Sequence, residues 1–153
     1  MSGIRSARME HRDLTQTIIG CAYSVFNRMG FGFLESVYEN CLLIELRKAG
    51  LRSEAQKPIT VHYEGQVVGE FVADVLVENT VIIELKSVRK LALCHEVQLV
   101  NYLVATGKPV GLLLNFGEQG VEVKRKVREL KSVPAERPTV SSCLSCYPVD
   151  RNN

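Results

Sequence analysis

Residues 69–88 constrain the fold more than any other stretch of the chain. They read GEFVADVLVENTVIIELKSV, two apolar runs separated by three polar residues, with Asp74 in the first run and Glu84 and Lys86 in the second. Val, Ile, Leu and Phe favour buried strands, and the short polar break is typical of a hairpin. A carboxylate in each strand would lose solvation on folding unless a partner compensates. The two carboxylates therefore need a positively charged or hydrogen-bonding partner in the folded protein.

The hairpin register decides whether the charged residues share a face. Glu84 and Lys86 are two residues apart, so both side chains leave the same face of a strand. If the loop is residues 78–80, Asp74 lies opposite Glu84, whereas a two-residue loop would set it opposite Ile83. Two facing carboxylates in a dry sheet repel each other unless a cation lies between them. Lys86 supplies one positive charge, and a divalent metal would supply two.

A metal site at this hairpin has a definite chemistry. Mg²⁺ and similar hard cations bind carboxylate and carbonyl oxygens and retain several waters. Asp74, Glu84 and the backbone carbonyl of Leu85 would be sufficient ligands for Mg²⁺ or Mn²⁺. A bound metal stabilises charge at a phosphoryl oxygen and lowers the pKa of a bound water, which Lys86 could orient or deprotonate. The expected reaction is hydrolysis of a phosphodiester.

Three motifs carry a resemblance to a known family. Asp74 followed by Glu84-Leu85-Lys86 resembles the D…ExK signature of the PD-(D/E)XK nuclease superfamily. Residues 32–38, GFLESVY, resemble the motif after which the GxxExxY family of that superfamily is named, and a QxxxY follows at residues 98–102. The resemblance spans about residues 14–130. It implies a restriction-endonuclease-like α/β fold (mixed α+β), with helices flanking a mixed sheet of four to five strands.

The resemblance also implies roles for residues outside the hairpin. Glu35 would be an accessory metal ligand or water holder, although an acid in the first turn of a helix is also favoured by the helix dipole. Gln98 and Tyr102 would orient a phosphate or the attacking water. Their spacing alone equally fits a half-exposed polar pair. His95 is either a further ligand or proton carrier, or a capping or surface residue.

Apolar spacing predicts the remaining elements. Helices are expected at about residues 13–29, with Asp13 as N-cap, at 34–49 and at 93–106, and strands at 58–63, from 66, at 110–116 and at 121–128. Glu70 is expected on the face of Asp74, as a further acid or a solvated strand end. In the last strand three basic residues share one face, and they are either a phosphate-contacting stripe or charges that protect a sheet edge. These are Lys124, Lys126 and Arg128.

Length and composition set the remaining bounds. The 153 residues suit one domain, expected at residues 13–131, with flexible ends at 1–12 and 132–153. A net charge of +2 does not by itself indicate a nucleic-acid partner. We find no leader, membrane span or lipidation signal, so a cytoplasmic protein is expected. The five cysteines are an odd number, which argues against a disulfide framework, and the Cys143/Cys146 pair lacks the second pair that a zinc site needs.

The function predicted from the sequence is a Mg²⁺- or Mn²⁺-dependent nuclease. Nucleic acid, with DNA as the first expectation, is the predicted partner, and cutting both strands of a duplex would favour a homodimer. One alternative is a nucleic-acid-binding or protein-assembly module that kept the sheet and lost turnover. Another is a buried charge triad that binds no metal, on a domain whose surface serves a protein partner.

Overall fold

Three helices and five strands form the part of the chain that the computed structural model describes, which is residues 3–128 with side chains from residue 11 onward. The tail, with Cys143 and Cys146, lies outside the described residues. In chain order the elements are α1 (Gly3–Met29), α2 (Glu35–Lys48), β1 (Ser53–Tyr63), β2 (Gln66–Val77), β3 (Val81–Lys86), α3 (Leu93–Thr106), β4 (Val110–Gly117) and β5 (Gly120–Val127).

The five strands form one mixed sheet in the order β1-β2-β3-β4-β5. The first three strands are an antiparallel meander, β3 and β4 are parallel, and β4 and β5 are antiparallel. Two parallel neighbours need a crossover connection, and α3 provides it. The predicted fold class, a mixed sheet of four to five strands flanked by helices, is confirmed.

Helices cover both faces of the sheet because its central strands are apolar on both sides. One core lies between the sheet and helices α1 and α2, and it includes Val81, Ile83 and Leu85 of β3. A second core lies under α3 and includes Ile82. Since side chains alternate along a strand, Glu84 follows Ile82 on the α3 face.

Helix α3 approaches β4 closely at Gly111. A Cβ atom at this glycine would lie 2.6 Å from the Cδ1 atom of Leu99, which is fully buried in the second core. The absence of a side chain at Gly111 therefore sets the distance between α3 and the sheet, and with it the position of every α3 side chain that faces the centre of the sheet.

Two element boundaries differ from the prediction. Helix α1 begins at Gly3, so Asp13 lies inside the helix and is not its N-cap. The preceding residues include Ala, Arg, Met and Glu, which are good helix formers. Strand β1 begins at Ser53 and not at Pro58. Its first residues are largely polar because they lie at an edge of the sheet, so they show no apolar alternation. None of the helices in the described residues is long and apolar enough to span a membrane.

Candidate active site

The hairpin of β2 and β3 has the register predicted for a three-residue loop. Val77 pairs with Val81, so the loop is residues 78–80, and the ladder runs to the pair Val75 and Ile83. The next opposed residues are Asp74 and Glu84. Here the backbone N–H groups donate to side-chain carboxylates and not to the carbonyls of the opposite strand. The Leu85 N–H donates to Asp74 Oδ2 at 2.7 Å, and the Asp74 N–H donates to Glu84 Oε1 at 3.4 Å.

The carboxylates of Asp74 and Glu84 are therefore brought into contact where the two strands separate. Glu84 is only 4% exposed. Burial, and then the Asp74 carboxylate, raise the pKa of Glu84 well above its ordinary value, and Lys86 lowers it in part. Burial also raises the pKa of Asp74, against the bond from Leu85 and the charge of Lys86. The three residues of the D…ExK pattern lie together, with one positive charge for two acids.

Helix α3 brings Tyr102 and Gln98 to this cluster. The buried Tyr102 hydroxyl accepts a hydrogen bond from Gln98 Nε2 at 2.8 Å. Burial, followed by the nearby Glu84 charge, raises the pKa of Tyr102 to about 12. Because the hydroxyl oxygen accepts from Gln98, its own proton remains available to donate to a neighbouring anion. The two residues are thus a hydrogen-bonded pair beside the acids.

His95 caps the start of α3. Its Nδ1 atom accepts the N–H of Ala92 at 3.1 Å, which leaves the ring proton on Nε2 in the neutral form. Burial, and then the charge of Lys86, lower the pKa of His95. Of the two roles that the sequence left open for this histidine, the capping role is confirmed by its hydrogen bond.

Tyr38 of the GxxExxY-like segment holds the loop between α1 and α2. It is fully buried and stacks on Phe116, with ring centroids 4.3 Å apart. Its hydroxyl donates to the Gly30 carbonyl at 2.6 Å and accepts the Phe33 N–H at 3.4 Å. The same loop contacts the end of β3, because Ser87 Oγ donates to the Phe33 carbonyl at 2.8 Å. The motif thus fixes the start of α2 beside the strand that carries Glu84 and Lys86.

Glu35, the first residue of α2, is exposed. Within the described residues, no hydrogen bond or ion pair joins Glu35 to Asp74 or Glu84. The acid one helical turn later is nearer to the centre, since burial and then the Asp74 charge raise the pKa of Glu39. Sequence reasoning missed Glu39, although its spacing of four residues from Glu35 puts both acids on one helix face.

Gln56 of β1 is the second residue that sequence reasoning missed. Its Nε2 atom donates to Glu39 Oε2 at 2.8 Å, and its side chain lies close enough to the Asp74 carboxylate to favour its ionised form. Gln56 has a φ of 52°, which is unusual for a residue other than glycine. Neither the pairing of β1 with β2 nor the left-handed conformation leaves a signal in the apolar pattern, so the sequence could not have indicated this residue.

The pleat of β2 changes phase at the site. Phe71 and Ala73 face the core under α3, and so does Leu76, three residues beyond Ala73. Strict alternation would have placed Glu70 with Asp74. Glu70 and Val72 are exposed, which agrees with the solvated strand end that the sequence left open for Glu70. A shift of one residue in a strand reverses the direction of every side chain beyond it.

The basic residues of β5 lie apart from the acidic cluster. Strand β5 is two strands away from β3, at the edge of the sheet. Lys126 forms an ion pair with Glu96 of α3, and Lys124 lies 3.8 Å from Glu122. Arg128 is half-buried, and its Nε atom has no hydrogen-bond partner among the described residues. At least one lysine of the stripe is thus engaged within the protein.

The donor atoms of the cluster fit a hard divalent cation. Asp74 and Glu84 offer carboxylate oxygens, which Mg²⁺ and Mn²⁺ prefer. Their raised pKa values show that a positive charge beyond that of Lys86 would stabilise the ionised pair. Within the described residues, no three His, Cys, Asp or Glu side chains are grouped closely enough to hold a metal ion. Two acids still suffice for a cation that retains several waters.

Comparisons with known proteins agree with this geometry. The model of the PD-(D/E)XK nuclease superfamily matches residues 12–128, which include the whole sheet. The chain therefore belongs to the PD-(D/E)XK nuclease superfamily. No curated protein matches it. The crystal structure of SSO0001 aligns with 63% of this chain and 52% of its own at 19% identity, with a TM-score of 0.52, which shows a shared fold. The chain thus spans about half the length of that protein.

Proposed function

We propose that this protein is a divalent-metal-dependent nuclease of the GxxExxY branch, which hydrolyses phosphodiester bonds in DNA. The observation that carries the proposal is the close approach of the buried Glu84 carboxylate and the half-buried Asp74 carboxylate, beside Lys86, at the point where β2 and β3 separate. Burial and mutual repulsion both oppose the ionisation of this pair. The pair therefore destabilises the folded protein unless a bound cation compensates.

Asp74 and Glu84 are the proposed ligands of Mg²⁺ or Mn²⁺, with the Leu85 carbonyl as a third and Glu35 as an accessory ligand or water holder. The N–H and C=O of one residue in an extended strand point to the same edge. Since the Leu85 N–H donates to Asp74, its carbonyl is directed to the same side. When bound, the cation would stabilise charge on the phosphoryl oxygens and acidify a bound water.

The side chains of the protein would handle the water and the phosphate. Lys86 lies near both acids, so its ammonium group can orient the attacking water and offset the charge that develops on the phosphate. Tyr102, with a free proton on its hydroxyl, can donate to a phosphate oxygen while Gln98 holds that hydroxyl in place. The stripe Lys124, Lys126 and Arg128 is the proposed contact to more distant phosphates.

A cytoplasmic location and a homodimer for cutting duplexes belong to the same proposal. The second candidate function is a nucleic-acid-binding module without turnover. One observation favours it: the described residues group no three potential metal-ligating side chains around a common point. The nuclease is the better candidate because all three residues of the D…ExK pattern are present and lie near one another.

A cleavage assay tests the proposal. Purified full-length protein is incubated with labelled single- and double-stranded DNA and RNA in Mg²⁺ or Mn²⁺, beside the variants Asp74→Ala and Lys86→Ala. The rate should fall by about 100-fold or more in both, the scale expected for removing a general base or a charge-stabilising group. Glu70→Gln, a change at an exposed acid of the same hairpin, should retain the wild-type rate.

Equal cleavage by the wild type and both variants would reveal a contaminating nuclease and refute the enzyme. Binding to nucleic acid that survives both substitutions, with no cleavage by the wild type in either metal, would favour the module. Comparison of the four substrates assigns DNA or RNA independently of this outcome.

A further inference from the structure

Gln56 has a left-handed backbone conformation, which is unusual within a strand. It lies in the middle of β1, yet its φ is 52°. The pairs on either side, Ala55 with Val75 and Lys57 with Ala73, place it opposite Asp74. Strain of this kind persists only where the surrounding structure holds it, and it is concentrated at functional sites.

The backbone of Gln56 coincides with a change in the direction of the side chains. Ile59 of β1 faces the core under α3, whereas Val75, the partner of Ala55, faces the core under α1 and α2. The alternation of β1 thus reverses near Gln56, as that of β2 does near Asp74. The two irregularities lie opposite each other. They direct the side chains of Gln56 and Asp74 differently from those in regular strands.

The side-chain amide of Gln56 connects two acids from different elements. Nε2 donates to Glu39 Oε2 at 2.8 Å, and the same amide lies close enough to the Asp74 carboxylate to favour its ionised form. Ionised carboxylates only accept hydrogen bonds, so the NH₂ group must be the end that faces them, and it has two protons to donate. A neutral side chain thereby lies between two acids from different elements.

We propose that Gln56 is a positioning residue of the active site, which joins Glu39 of α2 to Asp74 and fixes the orientation of the Asp74 carboxylate. Glu39 is the acid through which α2 acts on the metal-binding pair. One Asp74 oxygen accepts the Leu85 N–H, and the Gln56 amide, which lies on the β1 side of Asp74, limits the remaining rotation of the carboxylate. This inference rests on the proposed nuclease function for its kinetic test.

Three variants separate positioning from folding. Gln56→Gly relieves the left-handed strain and removes the amide, so the midpoint of thermal unfolding should stay equal or rise. Gln56→Glu retains the length of the side chain and replaces both donors with a third carboxylate. Glu39→Gln removes the acid. Asn79→Gly is the matched control, because Asn79 also has a φ of 51° but lies in the exposed turn of the β2–β3 hairpin.

The readouts are the cleavage rate and the Mn²⁺ concentration that gives half the maximal rate. Gln56→Gly should require about tenfold more Mn²⁺ and cleave about tenfold more slowly, with Gln56→Glu slower still. Glu39→Gln should show the same kind of loss, and Asn79→Gly should match the wild type. If Gln56 only fills space, Gln56→Glu would remain near the wild-type rate. Values within twofold of the wild type for all three site variants would overturn the proposal.

A separate measurement keeps this inference distinct from the nuclease proposal. If wild-type protein cleaves nothing, the proposed function fails, and the Mn²⁺-induced rise in the unfolding midpoint of the full chain still reports on the position of Asp74. The rise should fall by at least half in Gln56→Gly and stay unchanged in Asn79→Gly. The same rise in the wild type and Gln56→Gly, or no rise in either protein, overturns the positioning role.

Discussion

The substitution Glu84→Gln should stabilise the metal-free protein. It removes one of two contacting carboxylates and retains the shape of the side chain. The amide oxygen can still accept the Asp74 N–H, which donates to Glu84 Oε1 in the native structure. At alkaline pH the wild type holds both charges together, with Lys86 as their nearby cation.

The size of the effect follows from Coulomb's law. Two unit charges about 5 Å apart repel each other by about 3 kcal/mol at an effective dielectric constant of about 20. In the variant, Lys86 still attracts Asp74 but no longer attracts a charge at position 84. This loss cancels part of the gain in the free energy of unfolding. We therefore expect the free energy of unfolding to rise by about 1–3 kcal/mol at pH 8.

The pH dependence has a definite sign. Burial, followed by the Asp74 charge, raises the pKa of Glu84 well above its ordinary value, so the folded state binds the proton more tightly than the unfolded state. The contribution of protonated Glu84 to stability is therefore fully present below the ordinary pKa and is lost as pH rises through the raised pKa. The advantage of Glu84→Gln should be small near pH 4 and largest near pH 8.

Urea unfolding followed by far-UV circular dichroism, in EDTA at several pH values, measures the difference. Circular dichroism is suitable because the chain contains no tryptophan. Glu70→Gln, the same change at an exposed acid of β2, should remain within about 0.5 kcal/mol of the wild type at each pH. A Glu84→Gln variant that is no more stable than the wild type at pH 8, with no dependence on pH, would refute the crowding of the two acids.

Three further substitutions test the structure that supports the site, each by urea unfolding. Gly111→Ala forces a Cβ atom to 2.6 Å from Leu99 and should cost about 1–3 kcal/mol, and additive effects in a double variant with Leu99→Ala would argue against this clash. Tyr38→Phe loses the 2.6 Å bond to the carbonyl that follows α1 and should cost about 1–2 kcal/mol; an unchanged stability would count against that bond. Asn115→Ala removes two bonds to the Val88 backbone, at 2.8 and 2.9 Å, and should cost about 2–4 kcal/mol, whereas a loss below about 1 kcal/mol would mean that water replaces them.

The two strands of the central hairpin were predictable from the sequence, because apolar runs lie on both sides of a short polar break. The sequence left two registers open, and the pair Val77 and Val81 shows the one with a three-residue loop, which sets Asp74 opposite Glu84. The bounds of α3 and β4 followed in the same way from apolar spacing that Gly107 interrupts. Where local pattern and tertiary structure agree, the fold can be derived from the residues.

The support of the acids was not predictable for an equally physical reason. Gln56 acts through a backbone conformation and a cross-strand register, and neither has a signature in composition or period. Glu39 was overlooked because the resemblance directed attention to Glu35, one turn earlier on the same face. The phase change between Ala73 and Leu76 likewise has no signature in the apolar pattern. Pattern reasoning assumes regular strands, and this site is built where two strands become irregular.

A titration of the full chain with Mn²⁺, followed by its thermal unfolding midpoint at pH 7.5, tests most directly whether Asp74 and Glu84 hold a divalent cation. For a dissociation constant of about 1 mM, 10 mM Mn²⁺ stabilises the folded state by about 1.4 kcal/mol, which corresponds to a rise of roughly 3–6 °C. The wild type and Glu70→Gln should show this rise, and Glu84→Gln should lose most of it. An equal rise in all three proteins, or no rise in the wild type, would contradict a metal site at the β2–β3 hairpin.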